Sequence, residues 1–202
     1  MKLEFNILKQ TLKKLIIWTI IYLIFIMIFF IIKSLSSKVV FQNLFLSLIG
    51  FPKHNKGSFL LLNIFSIFLN IFFVYDYFMY DINNFYSNII LRISSKVRIK
   101  NKVIVLVLFT VIYRTLLFIF KFLLFKDVIF DIKYYIFYIT MYLFLVVMEA
   151  FILSFKMKDT IKLLITFIFS FTVMLFYNFY ALTILMLIFL FIIFKYYKIN
   201  LN

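Results

Sequence analysis

The chain has 202 residues, 67% hydrophobic and 23% aromatic, with 22 Lys and Arg against 7 Asp and Glu, for a net charge of +15. That much apolar surface exceeds what a chain of this length can bury in water, which excludes a soluble globule and makes a bilayer the expected solvent. With no Cys and a single His, disulfides, thiolate chemistry and most metal sites are excluded too.

The expected fold class is all-α: a polytopic integral membrane protein of about six transmembrane helices, forming one domain over residues 1–202. The N-terminal MKLEFNILKQTLKK is basic and leads into an apolar run, Leu15 to Ile32. That run is too long for a signal-peptide core and has no small-residue cleavage site, so it reads as a retained first span. Val39 to Phe51 is too short to cross and is ended by Pro52; it reads as an outer interfacial or re-entrant segment. Further spans are expected near 59–75, 103–120 and 134–155. The last run, 163–194, is too long for one span of about 20 residues. A turn at Tyr177-Asn178-Phe179-Tyr180 would divide it into 163–177 and 179–194; the alternative is one long tilted helix.

Counting Lys and Arg on each side orients this arrangement. Lys2, Lys9, Lys13 and Lys14 share a side with Arg92, Lys96, Arg98, Lys100 and Lys102, with Lys156, Lys158 and Lys162, and with Lys195 and Lys198. The opposite side holds only Lys33, Lys38, Lys53, Lys56, Lys121, Lys126 and Lys133, and Arg114 falls within a helix. Both termini are therefore expected on the cytoplasmic side of the cell membrane, or on the equivalent face of a mitochondrial inner membrane. The positive charge reads as a topology signal and an attraction to anionic lipid, with nothing that suggests nucleic acid.

The longest inner loop, 76–102, contains DINNFYSNIILRISSKVRIKNK, Asp81 to Lys102. Apolar residues recur at Phe78, Ile82, Phe85, Ile89 and Ile93, with polar residues on the other faces: an amphipathic helix by period, with a break at Ser94 and Ser95. Its basic residues would contribute about 1 kcal/mol each beside an anionic leaflet.

The order of features here resembles the small permease subunits of ABC exporters from low-GC Gram-positive bacteria, of the antimicrobial-peptide export or immunity type. Asn83, Asn84, Ile89 to Arg92, Ser94, Ser95, Lys96 and Lys102 stand in matching order. The Trp of that pattern is absent, with Ile99 nearest its place, and Val97 splits the basic pair. The resemblance implies a coupling helix, with Asp81, Phe85, Ile89, Arg92, Ser94 and Lys96 docking on a separate ABC ATPase. It also implies a second permease chain, identical or paralogous. With glycines only at positions 50 and 57, no phosphate-cradling GxxxxGK[ST] loop can be built here. ATP chemistry would then reside on the partner, leaving this chain with no catalytic residue and no cofactor.

Two ionisable residues fall inside spans, where each costs about 2.5–3.5 kcal/mol and needs a partner or a water-lined surface. Arg114 lies roughly 16 Å from the inner end of its helix and Glu149 roughly 9 Å, at about 1.5 Å per residue. An Arg114–Glu149 pair across one hairpin is the expectation, either fixing helix rotation or taking part in transport; alternatively Arg114 faces another subunit. His54 has no partner at ligand spacing, so no metal site is expected. Asn63, Asn70, Thr110 and Ser170 fit interhelical hydrogen bonds. No HExxH or G-x-S-x-G element supports an enzyme. Two other readings stay open: a structural subunit of a larger complex, such as an organellar respiratory assembly, and the substrate-binding membrane subunit of an energy-coupling-factor importer.

Overall fold

A computed structural model of the chain describes residues 2–36, 41–50, 58–84, 95–125, 128–154 and 158–176. Among the described residues six helices follow one another: α1 (Lys2–Ser36), α2 (Phe41–Leu48), α3 (Ser58–Asn84), α4 (Ser95–Leu123), α5 (Ile132–Ser154) and α6 (Asp159–Phe176). No strand occurs among the described residues. Four segments are long and apolar enough to cross a membrane, namely Asn6–Ile32, Leu60–Met79, Ile99–Leu123 and Ile132–Ser154. Among the described residues the protein is thus all-helical, with four helices that suit a membrane. α6 covers most of the fifth expected span; the Tyr177–Tyr180 turn and the span at 179–194 lie outside the described residues.

α3 and α5 form the centre of the bundle. α3 packs against α1, α2, α5 and α6, while α5 packs against α3, α4 and α6. Buried apolar side chains gather in two clusters along the axis. One lies toward α2 and includes Tyr22, Phe45, Phe118, Tyr138 and Leu145; the other lies toward Asn84 and includes Leu15, Val74, Tyr77, Leu106 and Val146. Outward faces carry exposed residues such as Ile17, Trp18, Leu61, Phe72, Ile112 and Leu116, as expected for a surface solvated by lipid tails.

Local chemistry sets several helix ends. Asp131 caps α5, its carboxylate accepting the Lys133 backbone N–H at 2.9 Å, the usual N-cap arrangement. α6 begins with Asp159 in its first turn, paired with Lys162 at 3.3 Å, where a negative charge suits the helix dipole. α2 ends through Gly50, whose φ of 75° lies in the left-handed region and whose N–H bonds to the Ser47 carbonyl at 3.1 Å, closing the helix as a C′ glycine does.

Three details depart from the sequence-based boundaries. α3 continues without a break to Asn84, so Asp81 belongs to a long bundle helix, and Phe78 is core rather than the start of a surface helix. Tyr77 and Phe78 find apolar partners on α1 and α4, which outweighs exposing them at the interface. Lys96 falls in the first turn of α4. α2 buries Leu44, Phe45, Leu46 and Leu48 against the bundle, with Phe45 stacking edge-on against Phe118, Phe122 and Phe125.

Candidate functional site

Three helices carry sets of buried polar residues. On α3 these are Asn63, Ser66 and Asn70, on α4 Lys102, Thr110, Arg114 and Lys121, and on α6 Lys162, Thr166 and Ser170, all buried. Spacings of three, four or seven residues keep Asn63, Ser66 and Asn70, then Thr110, Arg114 and Lys121, and then Lys162, Thr166 and Ser170 each on one helical face, while Lys102 lies about 120° round α4 from Arg114. An apolar solvent makes this the preferred arrangement, because a polar group facing lipid has no hydrogen-bond partner.

Arg114 and Glu149 lie within one network, at 1% and 0% exposure, and are joined through Asn70 instead of touching. The Arg114 guanidinium donates to Ser66 Oγ at 2.8 Å, to the Ser66 carbonyl at 3.3 Å and to Asn70 Oδ1 at 3.1 Å. Asn70 Nδ2 then donates to Glu149 Oε2 at 2.8 Å. Guanidinium can only donate and carboxylate accepts, so the amide can satisfy both in one orientation alone. Ser170 from α6 donates to Glu149 Oε1 at 3.2 Å, and Tyr142 from α5 donates to Ser66 Oγ at 2.8 Å. The guanidinium also stacks on Tyr142, its Cζ 3.5 Å from the ring centroid, where the π-face meets a cation that water cannot reach. Four helices are locked by one hydrogen-bonded chain.

Two lysines that the charge count assigns to loops prove to be buried. Lys102 reaches back to the Phe78 and Tyr77 carbonyls of α3 at 2.9 and 3.3 Å. Lys121 donates to the Leu48 carbonyl at 2.9 Å, while Asn63 donates to the Ser47 carbonyl at 2.8 Å. Those carbonyls belong to the last turn of α2, where Ser47 also accepts from the closing Gly50 N–H and a cation complements the dipole. At the other end, Lys14 of α1 pairs with Asp76 of α3 at 2.9 Å on a part-exposed surface.

Of the expected coupling residues, Phe85, Ile89, Arg92 and Ser94 lie outside the described residues, and Asp81 and Lys96 are placed by their backbone alone. The structure brings α3 and α4 to the same end of the bundle on either side of residues 85–94, held together by Lys102. Among the described residues, no group of three or more His, Asp or Glu side chains could hold a metal ion. Asn63, Asn70 and Ser170 make the interhelical hydrogen bonds described above; Ser66, Tyr142, Lys102 and Lys121 are the members that sequence reasoning missed. For Ser66, Tyr142 and Lys121 the signal is a face shared with Asn70, Glu149 and Arg114 in turn; Lys102 lies off that face and has no such signal. Comparisons with protein-family models, with curated proteins and with solved structures find no match. The fold and the network therefore define the class by themselves: a helical membrane protein with a charged, hydrogen-bonded core.

Proposed function

We propose that the chain is the membrane-spanning permease subunit of an ABC-type exporter in the cell membrane, with six spans and both termini cytoplasmic. It would move, or give immunity to, a peptide or other amphipathic compound, driven by a separate ATPase chain and paired with a second permease chain. The observation that supports this reading is that polar side chains tie α3 to α4 at two levels, Lys102 beside residues 85–94 and Arg114 in the core. A push on residues 85–94 would reach α3 and α4 together, since Lys102 ties the two helices beside that segment. It would pass next to Arg114, Ser66 and Asn70, and from Asn70 to α5 and α6 through Glu149 and Ser170. Hydrogen bonds of this kind have discrete partners, so a helix displacement exchanges one set for another instead of stretching it. The family resemblance of Tyr75 to Lys102 supplies the ATPase.

The test is co-purification from a mild-detergent extract of the native host, comparing the wild-type chain with one carrying Phe85→Ala, Ile89→Ala and Arg92→Ala. The expected result is a Walker-motif ATPase that accompanies the wild type and is lost from the triple variant. Recovery of a respiratory assembly, or of an ATPase that the triple variant retains, would overturn the coupling role.

A further inference from the structure

Between α1 and α3 lies a cleft of about 440 Å³, within the range of sites that enclose a small ligand. Leu15 and Trp18 of α1 form one wall, and Phe65, Phe68 and Phe72 of α3 form the other. Spacings of three and four residues put each set on one helical face. Trp18 and Phe72 are both more than half exposed, so the cleft opens sideways onto the outer face of the bundle. Its charged end is the Lys14–Asp76 pair, 2.9 Å apart with both side chains part-exposed.

The polarity of the cleft runs one way along the helix axis. From Phe65 to Asp76 α3 rises about 16 Å, close to half of a hydrocarbon core about 30 Å thick. A ligand that matches this layout is apolar for the depth of one leaflet and ionic where that leaflet meets water, which is the form of a phospholipid. An acyl chain supplies the aromatic walls with dispersion contacts that a gap would forfeit. Trp18 sits one turn inside the charged rim, at the depth where an indole suits the membrane interface.

The rim selects the headgroup. The Lys14 ammonium can only donate hydrogen bonds and the Asp76 carboxylate can only accept them. A phosphate takes the donors of Lys14, but Asp76 repels it unless the same headgroup also brings a cation. A primary ammonium does so and donates to Asp76; a quaternary ammonium has no N–H to give, and a glycerol headgroup has no positive charge. A part-exposed ion pair contributes little on its own, so Lys14 and Asp76 can exchange each other for the two charges of the headgroup through charge-assisted bonds. We infer that the α1–α3 cleft binds one phospholipid of the leaflet on the Lys14 side, whose headgroup carries both a phosphate and a primary ammonium, with an acyl chain laid along Trp18 and Phe68. The inference goes beyond the permease reading and stands without an ATPase partner.

The experiment reads the fluorescence of Trp18, the one Trp of the chain. The purified full chain is reconstituted in phosphatidylcholine bilayers, into which brominated phosphatidylethanolamine, phosphatidylglycerol or phosphatidylcholine of matched acyl chains is mixed stepwise. Quenching against mole fraction gives the relative affinity for each headgroup. The expected preference for phosphatidylethanolamine is about threefold over both others, the size that a part-exposed ion pair supports. Asp76→Asn should remove that preference and raise phosphatidylglycerol above phosphatidylethanolamine, since Lys14 then meets the phosphate without a competing carboxylate. Lys14→Met with Asp76→Asn should make the three lipids equal. Lys13→Met, which removes an exposed lysine outside the cleft, should leave the wild-type preference unchanged. Equal quenching by the three lipids in the wild type, or an ethanolamine preference that survives Asp76→Asn, would overturn the site.

Discussion

α1 and α5 are both apolar enough to cross a membrane, yet they relate to the protein in opposite ways. Only 17% of the α1 span is buried against the rest of the chain, compared with 67% of the α5 span, although α1 is the more hydropathic of the two. In water that order would be reversed, because the most apolar helix would be driven inward. Here lipid solvates α1 as well as protein does. The bundle instead collects what lipid cannot solvate: Tyr138, Tyr142 and Glu149 on α5, and Asn70 and Arg114 opposite them. Polarity, not hydrophobicity, selects the inside.

The comparison breaks hardest at Arg114. Arg114→Ala leaves Asn70, Ser66 and the buried Glu149 carboxylate without their cation, and removal of one partner of a buried pair costs about 3–5 kcal/mol. The expected result is loss of most folded protein, read as the midpoint of unfolding in mixed micelles with increasing SDS. Arg114→Lys should recover only part of the loss, since a point ammonium cannot serve Ser66 and Asn70 together while stacking on Tyr142. A wild-type midpoint in Arg114→Ala would mean the network is not what holds α3, α4 and α5.

Glu149→Gln tests the other end of the chain with a smaller effect. The two carboxylate oxygens each accept from a different donor, Asn70 and Ser170. A Gln can keep its oxygen on Asn70 and turn its amide N–H₂ to Ser170 Oγ, whose hydroxyl then accepts instead of donating, so what is lost is the charged acceptor and its attraction to Arg114, about 1–2 kcal/mol. Because Asn70 carries the link, a double-mutant cycle between Arg114 and Glu149 should show coupling in the wild-type background and none within error in an Asn70→Ala background. Coupling that survives without Asn70 would point to a direct through-space interaction of the two charges.

Tyr142→Phe sharpens the contrast further. The ring stays under the guanidinium, and only the hydroxyl bond to Ser66 at 2.8 Å is lost, so the expected cost is about 1 kcal/mol. The same SDS titration measures it. A loss equal to that of Arg114→Ala would assign the hydroxyl, and not the ring, the main part in holding Arg114.

Much of this arrangement was legible in the sequence, and what was not has a physical cause. Apolar runs placed α1, α3, α4 and α5, because span length is fixed by bilayer thickness. Arg114 and Glu149 stood out because charge inside a span is costly. What periodicity did not convey was that Asn70 comes between them, since a bridging amide is set by helix rotation and not by spacing along either helix. Lys102 and Lys121 were misplaced for a different reason. A charge count treats every lysine near a span end as solvated, but a long side chain can turn inward to a helix-end carbonyl. Lys121 sits seven residues after Arg114, which returns it to the Arg114 face of α4, so the polar stripe read ahead of the charge count finds it; Lys102, twelve residues before Arg114, falls about 120° away and carries no such signal. The end of α3 was missed because the apolar repeat from Phe78 onward fits a surface helix and a continued bundle helix equally well.

The smallest effect is expected on the outer face of α1, and it tests the explanation for the whole contrast. Ile17 is 60% exposed, so if lipid or detergent tails are its only neighbours there, Ile17→Ala trades one apolar contact for another. No cavity is left, because fluid chains close over the gap, and no transfer term arises between two hydrocarbon surroundings. The unfolding midpoint should then shift by less than about 0.5 kcal/mol, as for an ordinary surface substitution. Leu145 on α5 is wholly buried, and Leu145→Ala should cost several times more through its cavity alone. A shift above about 1 kcal/mol for Ile17→Ala, growing with protein concentration in the micelle, would show instead that a second chain covers α1. The low burial of that helix would then mark an interface of the kind a paired permease requires.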